Sequence, residues 1–134
     1  MISQKTKYGL QAVIALAKHA DGEPILITDL AKKERLPKKF LEAILLELKK
    51  AGILSSKKGK GGGYALARPA ASIKVGEIVR VLEGPLQTKP KEHGEIQMIV
   101  DQLMEAVSDV LDNTTLEDVM DKARCCRDVY TYVI

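Results

Sequence analysis

Lysine and glycine crowd into one stretch of this 134-residue chain, Lys57-Lys58-Gly59-Lys60-Gly61-Gly62-Gly63-Tyr64. Side chains of this kind could do chemistry on a charged partner. Two nucleotide-binding readings fail. A phosphate loop needs a Gly-Lys-Ser or Gly-Lys-Thr step, and none occurs. The dinucleotide spacing starts at Gly59 and Gly61 but meets Tyr64 where a third glycine belongs. Both motifs also open a helix, whereas strand-like sequence and Pro69 follow here. Short strand-like pieces flank the glycines, Ile53–Ser56 before and Tyr64–Ala67 after. The segment therefore reads as a hairpin whose tip visits positive φ and carries three lysines. Taken alone, it is equally a flexible tip with no ligand.

The sequence upstream decides between these readings. Residues 3–20 are expected as a first helix, with Tyr8, Ala12, Val13, Ala15, Leu16 and Ala17 on a broad apolar face. Asp21-Gly22-Glu23-Pro24 ends it, and Ile25-Leu26-Ile27 follows as a short strand or extended link. Thr28 is placed as the N-cap of a second helix over Asp29–Glu34. After the turn Arg35-Leu36-Pro37, a third helix runs from Lys38 to Ala51 and stops at Gly52. Leu41, Ile44, Leu45 and Leu48 form its inward stripe, while Lys39, Ala43, Leu46 and Lys50 face outward, edged by Glu42 and Lys49. Two helices across a short turn, then a basic hairpin, predict a winged helix-turn-helix that reads double-stranded DNA. An ordinary helical hairpin in a small bundle is the alternative.

Charge supports the DNA reading. The formal net charge of +3 hides an asymmetry. Residues 1–68 carry 14 basic and 6 acidic side chains, and residues 69–134 carry 7 and 12. A basic half suits a polyanion, because neutralised phosphates release condensed counterions. The acidic half should stay off DNA. No apolar run approaches the length of a membrane span, and the N-terminal segment does not read as a signal peptide, so a cytoplasmic protein with no membrane partner is expected. No catalytic set is apparent: His19 and His93 are isolated, and the C-x-x-C and H-E-x-x-H metal patterns are missing. An enzyme is not expected, nor any metal site.

In the acidic half, a fourth helix is expected over Val75–Glu83, stopped by Gly84-Pro85, followed by a polar connector. A fifth, Glu95–Leu111, carries Ile96, Ile99, Val100, Leu103, Met104, Val107, Val110 and Leu111. A stripe this long needs a partner surface, and a second copy of the chain is the simplest one. Packing back on the chain's own helices is the alternative, and part of the stripe is expected to do so. Thr114 and Glu117 are placed as a capping box opening a short sixth helix, with Leu116, Val119, Met120 and Ala123 inward. The tail, residues 129–134, is strand-like and expected to be docked. Two readings stand for Cys125-Cys126, flanked by Arg124 and Arg127. One is a redox-sensing or soft-metal thiol pair, and the other is two ordinary thiols; ring strain disfavours a stable structural disulfide between neighbours.

Further motifs place the chain beside a known family. Ser3-Gln4-Lys5-Thr6-Lys7-Tyr8-Gly9-Leu10, Phe40-Leu41-Glu42, Gly59-Lys60-Gly61-Gly62-Gly63-Tyr64-Ala65-Leu66, Ile73-Lys74-Val75-Gly76-Glu77-Ile78 and Thr114-Thr115-Leu116-Glu117-Asp118 together resemble the Rrf-two family of bacterial winged-helix regulators. The resemblance covers nearly the whole chain. It implies a mainly α fold with a small β-hairpin wing and a long dimerisation helix. It also implies a homodimer that binds palindromic promoter DNA as a repressor. The implied division is a DNA-binding domain over 1–84, a connector over 85–94, and a dimerisation helix with regulatory tail over 95–134. Many members hold an iron–sulfur cluster through three cysteines in the connector. Residues 85–96 contain no cysteine, so no cofactor is expected, and the chain is more similar to the cluster-free, CymR-like branch. That branch admits control by a regulatory protein or a small-molecule effector in sulfur metabolism. The resemblance places Lys39, Phe40, Glu42 and Ala43 near bases, and Thr28 among the DNA contacts. Lys38, Lys49 and Lys50 are expected on phosphates. Lys57, Lys58 and Lys60 carry the wing to the minor groove, where Gly59, Gly61, Gly62, Gly63 and Tyr64 would allow close approach. The competing function is a winged-helix protein-interaction module that does not read DNA.

Overall fold

The computed structural model describes residues 2–19, 22–59, 62–84 and 94–123. Helix α1 spans Gln4–Lys18, shorter than expected because Ser3 is its N-cap: Oγ of Ser3 accepts the Thr6 N–H at 3.3 Å. Thr6, Gly9, Ala12, Val13, Ala15 and Leu16 form its buried side.

Helix α2 spans Ile27–Glu34. Thr28 is not its cap, as the sequence predicted, but lies within the first turn; Leu26 occupies the cap position without a side-chain bond. The cause is tertiary. Ile25 is locked to Tyr64 by two backbone hydrogen bonds of 2.9 Å, one in each direction. The chain leaves that bridge and turns directly into helix, and Leu30 N–H reaches the Leu26 carbonyl at 3.0 Å. A capping preference worth about 1 kcal/mol yields to this pinning.

Helix α3 spans Lys38–Lys50, with Pro37 at its cap. Leu41, Ile44, Leu45 and Leu48 are its buried residues, as their spacing required. Gly52 adopts φ 83°, the left-handed stop that the sequence anticipated. Strands β1 (Leu54–Lys57) and β2 (Gly63–Leu66) pair antiparallel, Leu54 opposite Leu66 and Lys57 opposite Gly63.

After a 3-10 turn at Ala70–Ser72, α4 spans Val75–Glu83 as predicted and ends at Gly84, φ 85°. Helix α5 spans Glu95–Asn113, two residues longer than expected. Gly76 lets the two approach: a Cβ there would sit 2.9 Å from the Leu111 carbonyl oxygen. Arg80 and Asp112 form an ion pair across the same contact. A last helix, α6, covers residues 116–123. Its capping box is one residue later than predicted. Thr115 N–H donates to the Asp118 carboxylate at 3.0 Å, and Asp118 N–H donates to the Thr115 hydroxyl at 3.1 Å. Register is again set by tertiary bonds, because Val75 N–H takes the Thr114 carbonyl and Leu116 N–H reaches Ile73 O. These seat Leu116 in the same core as α1 to α4.

The observed architecture is thus mainly helical with one two-stranded hairpin. Lys60, Gly61, the connector 85–93, Cys125, Cys126 and the tail 129–134 lie outside the described residues. Among the described residues, no helix is long and apolar enough to cross a membrane.

Candidate nucleic-acid interface

Burial of one stripe of α3 decides what the other side presents. Leu41, Ile44, Leu45 and Leu48 are at most 1% exposed, so Lys39, Glu42, Ala43, Lys49 and Lys50 stand outward. Leu46 joins them at 44% exposed. The sequence put Leu46 on this face without a role; an exposed leucine amid lysines can lie against a thymine methyl. Helix α1 braces α3 at two points. The Lys5 ammonium pairs with the Glu47 carboxylate at 2.9 Å. The Tyr8 and Phe40 rings meet edge to face, 5.7 Å between centroids at 89°. Phe40 is still 43% exposed, so the brace orients it without hiding it. Pairing of Glu47 leaves Glu42 as the α3 carboxylate on the exposed side, where it can accept from a cytosine amino group.

Lys38 and Lys39 open α3, which has no acidic residue in its first turn. The positive end of the helix dipole and two ammonium groups therefore coincide, an arrangement that attracts phosphate. Thr28 is exposed in the first turn of α2.

Gly62 and Gly63 have a structural role in the hairpin. A Cβ on Gly62 would lie 2.3 Å from the Lys57 carbonyl oxygen, and one on Gly63 would lie 2.1 Å from that of Ile25. Gly63 also sits at φ 133°, where only glycine is comfortable. The backbone of Tyr64 is fully engaged with Ile25, and its ring packs against the core. Gly62, Gly63 and Tyr64, expected as DNA contacts, also make these contacts within the chain. Lys57, Lys58 and Gly59 are exposed on the described part of the wing, and nothing lies within 4 Å of a Cβ built on Gly59.

Glu83 closes α4 against α1. Its carboxylate accepts the Ser3 N–H and the Thr6 hydroxyl, the latter at 2.7 Å. These bonds, that from the Ser3 backbone foremost, hold the carboxyl at about 2, well below 4.5.

Helix α5 presents Ile96, Met98, Ile99, Leu103 and Val110 to solvent, with Ile99 at 64% and Leu103 at 51% exposed. Val100, Met104 and Val107 are partly buried. Leu111, read as a dimerisation residue, is only 8% exposed and packs within its own chain. The physical reason is the close α4–α5 contact at Gly76. An apolar groove of about 330 Å³, lined by Ile2, Ala106, Val107, Val110 and Leu111, continues the face. Met98 and Ile2 were not singled out from sequence, since one breaks the heptad-like spacing and the other precedes the first helix. Among the described residues, no group of three or more His, Cys, Asp or Glu side chains is placed to hold a metal ion.

Comparison with known proteins agrees with this geometry. The family model described as Rrf2, iron-dependent transcriptional regulator, matches residues 2–122. The HTH-type transcriptional regulator CymR of Bacillus subtilis is 35% identical over 138 residues, covering 99% of each chain. An rrf2-like HTH-type transcriptional regulator of Rhodobacter capsulatus is 40% identical over 93 residues, 67% of this chain, which spans only 62% of that relative's length. Among solved structures, CymR, titled the global cysteine regulator of B. subtilis, superposes with TM-score 0.81 at 36% identity, covering 91% of this chain and 97% of that one. IscR of T. potens superposes with TM-score 0.80 at 36% identity, covering 92% and 88%. These relatives are regulators rather than enzymes. With a buried α3 stripe, an outward basic face and a lysine-bearing wing, the chain is a winged-helix, DNA-binding transcriptional regulator and belongs to the Rrf2 family.

Proposed function

We propose that the chain acts as a homodimeric repressor that reads a palindromic promoter site in the cytoplasm. The observation that carries this is the exposed apolar face of α5, in a chain that also carries a basic reading head. Ile96, Ile99, Leu103 and Val110, each at half or more exposure and spread along about four turns of one helix face, form a patch that a monomer rarely leaves open. The helix also bears Glu95, Asp101, Glu105, Asp109 and Asp112 and no lysine or arginine. Such a surface repels DNA and suits a second copy of itself, whose apolar stripes meet while the acids stay at the rim. A two-fold pairing places two α3 helices on half-sites about one DNA turn apart, or a multiple of it. In this reading Lys39, Phe40, Glu42 and Ala43 face bases, Lys38, Lys49 and Lys50 face phosphates, and Lys57, Lys58 and Lys60 bring the wing to the minor groove.

An iron–sulfur cluster held by connector cysteines does not fit this chain. Residues 85–96 offer Glu92, His93 and Glu95 but no thiolate, and clusters are held chiefly by cysteine sulfur. Regulation through a protein or small-molecule effector is the reading we favour, and Cys125 and Cys126 are the thiols left for redox control.

The test replaces Ile99 and Leu103 with Asp. Both are more than half exposed in the single chain, so the fold should survive. Sedimentation at micromolar concentration should show a dimer for the parent and a monomer for the double variant. Footprinting should show specific protection lost before weak non-specific binding. A parent that sediments as a monomer and still protects a full palindrome refutes the proposal.

A further inference from the structure

Arg35, in the turn between α2 and α3, is the one non-glycine residue with positive φ among the described residues. Its backbone sits at φ 55°, ψ 47°. Every other described position with positive φ is glycine: Gly22, Gly52, Gly59, Gly63, Gly84 and Gly94. The conformation at Arg35 is imposed by its surroundings. The N–H groups of both Arg35 and Leu36 turn back to the Ala31 carbonyl, the latter at 2.9 Å. Leu36 drops into the core at 7% exposed, and Pro37 then starts α3. This is a helix C-terminus of the kind that glycine ordinarily closes. A glycine would sit there without strain, so the advantage of arginine must come from its side chain.

That side chain is exposed. The three ion pairs among the described residues join Lys5 to Glu47, Arg68 to Glu77 and Arg80 to Asp112; none uses Arg35. Glu34 precedes Arg35 and is engaged by Gln11, whose Nε2 donates to the Glu34 carbonyl at 3.0 Å; the other charged residues flanking the turn are cationic. Lys32 and Lys33 lie in the last turn of α2, and Lys38 and Lys39 open α3. Five basic side chains thus flank one turn that holds a single carboxylate, Glu34, beside the end of α3 whose dipole is positive; among the described residues no carboxylate salt bridge involves any of the five.

We infer that Arg35 clamps a DNA phosphate next to the groove entered by α3. It is a positioning contact that fixes the reading helix rather than selecting bases. The planar guanidinium can hold two phosphate oxygens at once, which a flexible ammonium cannot. The inference rests on the DNA-reading function.

The experiment compares the parent with Arg35→Gly, Arg35→Gln and Arg35→Lys on a duplex recovered by site selection with the parent, titrated across salt concentrations by fluorescence anisotropy. Arg35→Gly relieves the backbone, so its Tm should be no lower than the parent's. Its affinity should nonetheless fall by about tenfold at fixed salt. The slope of log K against log salt should become shallower by about 1.8, one phosphate contact from each subunit of the proposed dimer. Arg35→Gln keeps the strain and loses the charge, and should lose as much affinity. Arg35→Lys keeps the charge and should restore most of the slope. Parental slope and affinity in both Arg35→Gly and Arg35→Gln overturn the clamp, as does a loss confined to Arg35→Gly, which would be a backbone effect. A parent that binds no duplex in a salt-dependent way overturns the DNA reading beneath it.

Discussion

Replacing Gly63 with alanine should detach the wing from the helical core while leaving the core folded. The added Cβ would begin 2.1 Å from the Ile25 carbonyl oxygen and 2.7 Å from the Leu26 nitrogen. Both are backbone atoms, which cannot swing aside as a side chain would. Gly63 also sits at φ 133°, where a residue with a Cβ is strained by about 1–3 kcal/mol. Relief requires the strand to move away from Ile25. That breaks the reciprocal pair of 2.9 Å bonds between Ile25 and Tyr64, each worth about 1 kcal/mol net. The total is about 3–5 kcal/mol against the docked wing. Gly52→Ala is the control: its φ of 83° is also left-handed, but nothing lies within 4 Å of the new Cβ, so it should cost only about 1 kcal/mol. Urea unfolding gives the overall loss. Amide hydrogen exchange at Ile25 and Tyr64 locates it, and both amides should lose protection in Gly63→Ala while Leu45 and Leu48 keep theirs. DNA affinity should fall with the wing. If Gly63→Ala loses no more stability than Gly52→Ala and both amides stay protected, the glycine is not there for the Ile25 contact.

Glu42→Ala should change which bases are selected more than it changes total affinity. A carboxylate that accepts from a cytosine amino group is worth about 1–3 kcal/mol of discrimination at that position, while its removal lessens repulsion from phosphates. Site selection that returns the same motif for parent and variant would remove Glu42 from base readout. The Glu83 latch should show in acid. Its carboxyl is lowered in the folded chain, so its stabilisation is complete above about 4.5 and disappears as pH falls towards about 2. Glu83→Gln should therefore be less stable than the parent near neutral pH and should converge on it across that window. Urea midpoints that run parallel for the two proteins throughout the window would refute the latch.

Local chemistry in the sequence determined much of this molecule. Leu41, Ile44, Leu45 and Leu48 recur at helical spacing, so the buried and exposed sides of α3 follow from covalent geometry alone. Gly52 and Gly84 stop their helices where expected, because no other residue type takes a left-handed or related turn so cheaply. The charge division between the halves is a matter of composition, and with it the choice of DNA as partner.

Tertiary structure decided what depends on residues distant in sequence. The bridge from Ile25 to Tyr64 starts α2 before Thr28, and the bonds of Thr114 and Leu116 shift the second capping box to Thr115 and Asp118. A cap worth about 1 kcal/mol cannot resist a pair of backbone bonds anchored in the core. Only the folded chain shows that Gly62 and Gly63 are filled from within, by the carbonyls of Lys57 and Ile25. The stripe of α5 was expected to divide between a partner and the chain's own helices, and the α4–α5 contact at Gly76 decides the division, with Leu111 inward and Ile99 and Leu103 outside. Periodicity reports which side chains share a helix face; which part of that face is already covered depends on the neighbour that packs there.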